Sequence, residues 1–135
     1  IDCKVICSTH IMDNPFVPYI ASGTTSDGTI RVGVNCFFGA GAMVVGNVVI
    51  GHGSVIGAGS LITKEVPPFS LVVGSPAKIL RRYSFSKKMW VGADLIIEDD
   101  LKDMPNEEAY LEKLRNNYPI IGMPLIAAGS DLGDL

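Results

Sequence analysis

Residues 32–66 read VGVNCFFGAGAMVVGNVVIGHGSVIGAGSLITKEV, and a bulky apolar residue returns at every sixth position of this stretch. Glycine follows four of the six leading residues, and the fifth position of each block is small or medium in size. A repeat of this regularity has to be interpreted before any local propensity. The leading residues are Val32, Phe38, Val44, Ile50, Ile56 and Ile62, and the fifth-position residues are Cys36, Ala42, Val48, Ser54, Ser60 and Val66.

The six-residue period excludes a helix and indicates short strands. In a helix, at about 100° per residue, a step of six turns by about 240°, so the leading residues would form no stripe. In a strand, six is a multiple of two, so the leading residues share one face. One strand of this length would far exceed the usual length of about 3–10 residues, so the chain must bend once per repeat, where glycine supplies the conformations needed. Three bends close a triangle, which predicts an all-β solenoid with its leading residues stacked inside.

Length and composition predict one domain with an extension. The chain has 135 residues and a mass of 14.4 kDa, and 47% of its residues are hydrophobic. We expect a β-solenoid domain at 1–82 with an extruded loop at 11–30, followed by a C-terminal extension at 83–135. Within the extension, residues 107–118 have the pattern of a capped amphipathic α-helix.

The three cysteines, Cys3, Cys7 and Cys36, form no CxxC pair. This argues against a disulfide framework and a zinc cage, and it predicts buried thiols in a reducing compartment, the cytoplasm. The uncharged stretch 32–63 is broken by glycines and polar residues, so we expect it not to span a membrane.

Positive charge is concentrated just after the repeat. Residues 64–88 hold six basic residues and one acidic residue, within a chain of net charge −3. A compact basic segment in an acidic protein suits a small polyanion such as a nucleotide phosphate, and it is too short for a nucleic-acid tract. The run from Ser75 to Lys78 predicts a helix start, with Ser75 as N-cap, which would add a favourable anion environment for Lys78 and Arg81.

Of the two histidines, His10 is the better candidate for chemistry. It precedes the segment 11–30 that interrupts the repeat, and loops on a rigid scaffold are where sites are built. An imidazole suits the removal of a proton from a hydroxyl group near neutral pH. Asp13 could orient that imidazole or bind an acceptor hydroxyl, or be a plain surface aspartate. His52 lies between two glycines at a position expected to point outward, and we predict that it is a bystander.

The blocks Ile50–Val55 and Ile56–Leu61 resemble the hexapeptide repeat of left-handed β-helix acyltransferases. The run from Ile62 to Arg81 resembles the terminator of the O-acetyltransferases of maltose, galactoside and capsular sugars. The resemblance implies a left-handed parallel β-helix and an acetyl-CoA-dependent O-acetyltransferase, with a sugar or polysaccharide precursor as acceptor, His10 as general base and no metal. It also implies a homotrimer with sites between subunits. The coenzyme contacts that it implies are Ala40, Ala58, Thr63, Lys64, Lys78 and Arg81.

Other functions stay open at this point. The segment His10–Asp13 also resembles xenobiotic acetyltransferases, which predicts a drug-like hydroxyl as acceptor, and an amine acceptor is a further alternative. A β-helix carbonic anhydrase would need three histidines, whereas the chain has two. The remaining alternative is a non-catalytic β-helix scaffold, which failure to bind coenzyme A would favour.

Overall fold

The structure, a computed structural model, describes residues 1–25 and 28–119 of the chain. The chain divides into two compact units, Ile1–Met104 and Pro105–Leu135. The end of the predicted extension, residues 120–135, lies outside the described residues. The strands are β1 (Lys4–Ile6), β2 (Ile30–Val32), β3 (Phe37–Phe38), β4 (Met43–Val45), β5 (Val48–Ile50), β6 (Val55–Ile56), β7 (Leu61–Ile62), β8 (Ser70–Gly74), β9 (Ala77–Ser84) and β10 (Met89–Gly92), and the α-helices are α1 (Glu98–Lys102) and α2 (Glu107–Asn117).

Short parallel strands form three separate sheets in the first unit. Their orders are β1-β4-β7, β2-β5 and β10-β9-β8-β6-β3, in which β9 and β10 are antiparallel additions. Ile30 pairs with Val48, Phe37 with Val55 and Met43 with Leu61, each an offset of 18 residues. Three six-residue repeats therefore separate each strand from its partner, as the sequence period predicts.

The leading residues of the repeat form the core between the sheets. Val44, Ile50, Ile56 and Ile62 are buried, and so are the fifth-position residues from Ala42 to Val66. The prediction of an apolar stack is confirmed for these coils. Val32 departs from it and stays 44% exposed, because β2 pairs on one side only, with β5.

Glycine after a leading residue allows neighbouring coils to approach closely. A Cβ on Gly39 would lie 2.4 Å from the backbone nitrogen of Ala58, and one on Gly51 would lie 2.3 Å from that of Pro68. Both glycines donate backbone hydrogen bonds of 2.8 Å, to the carbonyls of Ile56 and Val66. The repeat glycines are thus required by the stacking distance.

The predicted helix at Ser75 is wrong. Ser75 and Pro76 form the turn between β8 and β9, which pair as an antiparallel hairpin from Gly74 and Ala77 to Ser70 and Arg82. Gly74 has a φ of +103°, which lets the chain reverse there. Pairing of β9 with β8 overrides the local helix-start signal, since the strand gains a ladder of backbone hydrogen bonds.

A buried carboxylate joins the β9–β10 hairpin to α1. Asp100 is 1% exposed and accepts hydrogen bonds from the Ser84 hydroxyl at 2.8 Å, the Ser86 hydroxyl at 2.8 Å and the Ser86 backbone N–H at 3.0 Å. The backbone N–H of Ile97 also donates to it, at 3.3 Å. The Ser86 backbone bond, with the other donors, outweighs desolvation and holds the pKa of Asp100 well below its usual range.

We expect acid to destabilise the first unit through this carboxylate. Because the folded pKa is depressed, the stabilisation is complete above the unfolded value of about 3.9 and is lost as the pH falls towards the folded value. Urea unfolding should therefore show a steep loss of stability below about pH 4 in the wild type, and a shallower loss in Asp100→Asn. Asp99→Asn, at an exposed neighbour, is the control and should keep the wild-type slope. An Asp100→Asn profile parallel to that of the wild type would contradict the assignment.

The second unit contains the predicted helix. In α2, the Asn106 side chain accepts a hydrogen bond from the Ala109 N–H at 2.9 Å and so caps the first turn, and the helix ends at Asn117, one residue before the predicted end. Within the part of the chain that the structure describes, the helices lack the combination of length and hydropathy that a membrane-spanning segment needs.

Candidate active site

His10 lies on an exposed arm that pairs with the returning end of the loop. It forms an isolated antiparallel bridge with Thr24. On one side of the bridge the Ile11 N–H donates to the Gly23 carbonyl at 3.0 Å, and on the other the Thr25 N–H donates to the Thr9 carbonyl at 2.7 Å. The arm is therefore a short two-stranded ribbon, and its backbone pairing fixes where the His10 side chain starts.

A cleft of about 500 Å³ lies between this ribbon and the corner at residues 45–47. Thr9, Ile11 and Thr24 line it on the ribbon side, but His10 does not. The remaining lining residues are Ile6, Cys7, Ser8, Thr25, Gly28, Val45, Gly46 and Asn47.

Asp13 and His52 have contrasting positions. Asp13 is exposed in a bend three residues after His10. His52, in contrast to the exposed Asp13, is only 9% exposed. Its ring packs edge-on against Phe69, with ring centroids 5.0 Å apart, because Phe69 folds over the corner with a φ of +54°.

Ala40 and Ala58 stack at one corner of neighbouring coils. The Gly59 N–H donates to the Ala40 carbonyl at 2.9 Å, and both alanines are exposed. The structure therefore brings these two predicted coenzyme contacts together on the outer surface. Small side chains there leave the stacked backbone accessible to a ligand.

A β-bulge places Lys78 and Arg81 on the same face of β9. Lys78 pairs with Val73 and Arg81 with Leu71, while Leu80 is the extra residue. Without the bulge, two residues three apart in a strand would face opposite sides. Because Val73 and Leu71 are two positions apart, the two cations start about 7 Å from each other on the outer face.

Arg82 differs from Arg81 in pairing with the buried Ser70. Its Nη2 donates to the Pro68 carbonyl at 3.0 Å, and its Nε is buried without a hydrogen-bond partner among the described residues. Burial lowers the pKa of this guanidinium. Arg82 thus ties the hairpin to the last coil and lies apart from the outward pair.

Thr63 and Lys64 lie in a turn beside the start of β9. Together with Ala77 and Ile79 they line a second cleft, of about 140 Å³. Lys78 lies between Ala77 and Ile79 in the sequence but on the opposite face of β9, and it does not line this cleft. Glu65 lies in the same turn and places a negative charge next to Lys64.

The cysteines are less buried than predicted. Cys3 and Cys7 are exposed and Cys36 is partly buried, so the prediction of buried thiols is wrong for the first two. Cys3 directly precedes β1, which is an edge strand of its sheet. Cys7 lines the cleft of about 500 Å³. Among residues 1–25 and 28–119, no group of three or more His, Cys, Asp or Glu side chains is arranged to hold a metal ion.

Sequence reasoning missed the bulge at Leu80 and the pairing of residues 9–11 with residues 23–25. The bulge left no signal, because it arises from the register of β9 against β8. The pairing had a weak signal in the sequence at Thr24 and Thr25. Two adjacent β-branched residues near the end of the loop favour an extended segment, which can pair with residues 9–11. The role of Asp100 depends on two serines 14 and 16 residues away, which only the fold brings to it.

Known proteins resemble this chain in the repeat. Residues 29–64 match the family model "Bacterial transferase hexapeptide (six repeats)". A candidate acetyltransferase of Staphylococcus aureus (strain COL) is 50% identical over 60 residues, which cover 44% of this chain and 30% of that protein.

Solved structures show the same similarity. A hexapeptide-repeat-containing acetyltransferase of Vibrio cholerae O1 biovar eltor, complexed with acetyl-CoA, has a TM-score of 0.54 and 30% identity, and the match covers 59% of this chain and 42% of the other. A galactoside acetyltransferase in complex with coenzyme A has a TM-score of 0.56 and 27% identity, with 72% and 47% covered.

The chain spans less than half the length of each of these proteins. The resemblance inferred from the sequence is confirmed: residues 29–64 carry the bacterial transferase hexapeptide repeat, and the chain is similar in sequence and structure to hexapeptide-repeat acetyltransferases.

Proposed function

We propose that this chain is an acetyl-CoA-dependent O-acetyltransferase, built on a left-handed parallel β-helix, that acetylates a hydroxyl group of a sugar or polysaccharide precursor. The observation that carries the proposal is the ladder of parallel strands offset by 18 residues, in a chain similar to enzymes solved with acetyl-CoA or coenzyme A. The similarity to a galactoside acetyltransferase supports a sugar acceptor.

In this proposal His10 is the general base. It takes the proton of the acceptor hydroxyl while that oxygen attacks the thioester carbonyl. The new C–O bond forms, the C–S bond breaks, and the imidazolium returns its proton to the leaving thiolate. Asp13, three residues further along the exposed arm, is proposed to bind the acceptor.

The coenzyme is proposed to lie along the outer surface. Ala40 and Ala58 form a smooth stacked corner, and the turn with Thr63 and Lys64 adjoins β9. Lys78 and Arg81 share the outer face of β9, where two fixed cations suit a pyrophosphate. The acetyl group is then transferred to the acceptor oxygen that His10 deprotonates, and no metal is needed for the transfer.

We further propose a homotrimer that works in the cytoplasm. The outer surface carries apolar side chains such as Phe37, 64% exposed, and Val49, 45% exposed, which association would bury. An oligomer would also supply the second wall that the exposed His10 arm needs.

Calorimetric titration with acetyl-CoA tests the donor site. The double variant Lys78→Ala/Arg81→Ala is expected to bind acetyl-CoA at least about 100-fold more weakly than the wild type, because charge-assisted hydrogen bonds to phosphate contribute about 1.5–3 kcal/mol each. Lys87→Ala/Lys88→Ala removes the same charge from the β9–β10 turn and is the matched control, with near wild-type affinity expected.

Equal weakening in the two double variants would show that overall charge, and not the pair on β9, attracts the coenzyme. No binding by the wild type at about 1 mM acetyl-CoA, a concentration at which even weak ligands of this class are detected, would overturn the enzyme proposal. It would favour the non-catalytic scaffold.

A further inference from the structure

Thr25 holds both backbone polar groups of Thr9, the residue before His10. Its N–H donates to the Thr9 carbonyl at 2.7 Å, and its hydroxyl oxygen accepts from the Thr9 N–H at 3.0 Å. The same hydroxyl lies 3.2 Å from the Thr9 carbonyl, to which it donates. The Thr25 side chain therefore replaces one backbone-to-backbone hydrogen bond in the ribbon that carries His10.

The other side of His10 is tied in a similar way. The Ser22 hydroxyl contacts the carbonyl of Ile11 and that of Tyr19, and the Ile11 N–H donates to the Gly23 carbonyl at 3.0 Å. His10 is thus the central residue between a hydroxyl clamp from Thr25 and one from Ser22. Both clamps come from the end of the loop that returns to the coil.

The base of the ribbon is closed by a close backbone contact. A Cβ on Gly28 would lie 1.7 Å from the carbonyl oxygen of Cys7, so the returning chain touches the outgoing chain there. With its base held, the ribbon can change shape mainly beyond this point, where the Thr9–Thr25 bonds are. These bonds lie at the surface, where water competes for the backbone N–H and carbonyl groups. The Thr25 hydroxyl makes two of the bonds and therefore contributes much of the stability of the ribbon.

We infer that Thr25 is a positioning residue for His10. This rests on the proposed function, in which His10 accepts the proton of the acceptor. A general base works within a hydrogen-bond distance of about 2.6–3.2 Å, and a displacement of about 1 Å is enough to lower a rate 100-fold. Thr25 acts through the backbone of Thr9 and does not touch the substrate.

The test is a kinetic comparison of Thr25→Val, which keeps the shape and removes the hydroxyl, with Thr25→Ser, which keeps the hydroxyl. Acetyl transfer from acetyl-CoA to a panel of sugars is measured by release of free thiol. Thr25→Val is expected to lower kcat about 10-fold or more with an unchanged KM for acetyl-CoA, and Thr25→Ser to restore most of the rate. Thr29→Val is the matched control, because Thr29 uses its backbone N–H and carbonyl for its bonds to Asn47 and Val48.

A double-mutant cycle separates positioning from a purely structural role. In a His10→Ala background, Thr25→Val should not lower the residual rate further, because Thr25 has no base left to position. The inference is overturned if Thr25→Val transfers at the wild-type rate, if Thr25→Ser is as slow as Thr25→Val, or if Thr25→Val lowers the rate equally with and without His10. Absence of transfer by the wild type itself would instead overturn the proposed function, and the inference with it.

Discussion

His10→Ala is expected to lower kcat for acetyl transfer by about 10²–10⁴-fold, the usual contribution of a general base. The side chain lies on an exposed ribbon and makes no part of the core, so its removal should leave the fold intact. The basic residues proposed for the coenzyme lie on β9 and in the turn at residues 63–65, away from the His10 arm in sequence and in the sheets. The variant should therefore bind acetyl-CoA as the wild type does.

Steady-state kinetics and calorimetry on the same preparation check this expectation. His10→Gln, a neutral side chain of similar length, should be as slow as His10→Ala, because hydrogen bonding alone does not take up the proton. A His10→Ala variant that retains more than about a tenth of the wild-type kcat would assign the base to another group. Loss of acetyl-CoA binding in the same variant would indicate a role for His10 in the donor site.

Ile50→Ala is expected to lower the free energy of unfolding of the first unit by about 2–5 kcal/mol. Ile50 is fully buried at a leading position, where it lies between Val32 in one coil and Val66 in the next. Removing three carbon atoms leaves a cavity that stacked coils cannot close, because each coil is held by its ladder bonds to the neighbouring ones. Urea unfolding followed by circular dichroism measures the loss.

Val49→Ala is the control for this prediction. Val49 is the adjacent residue of the same strand, faces outward and is 45% exposed, so its truncation should cost less than about 1 kcal/mol. Equal costs at positions 49 and 50 would contradict the inside and outside faces that the six-residue period assigns. If Val49→Ala lowers the free energy of unfolding more in the oligomer than in an isolated chain, association covers the outer face.

The sequence predicted the core well because its pattern reports a constraint that every coil repeats. The leading residues Val44, Ile50, Ile56 and Ile62 all lie inside, and the strand offset follows from the period. A side chain that must stack on its equivalent in the next coil is restricted in the same way each time. Such a restriction is visible in one sequence without knowledge of any long-range contact.

The features that depend on one long-range contact were not predicted. Ser75 and Pro76 have the local chemistry of a helix start, but the pairing of β9 with β8 makes them a turn. His52 is buried because Phe69, from the following coil, packs over it. Of the site, the sequence identified His10 and the basic residues as candidates, whereas the shared face of Lys78 and Arg81 depends on a bulge that no pattern marks.

The loop between β1 and β2 changes the length of the chain but not the alignment of the coils. Lys4 pairs with Met43, an offset of 39 residues, whereas Met43 pairs with Leu61 at an offset of 18, and both pairings are parallel and in step. The 21 additional residues leave the coil at one corner and return to it there. The segment that carries His10 can therefore be lengthened, shortened or replaced without a change in the strand pairing that positions Lys78 and Arg81. Under the proposed function, a change in this segment would alter acceptor preference and leave the residues proposed for donor binding in place.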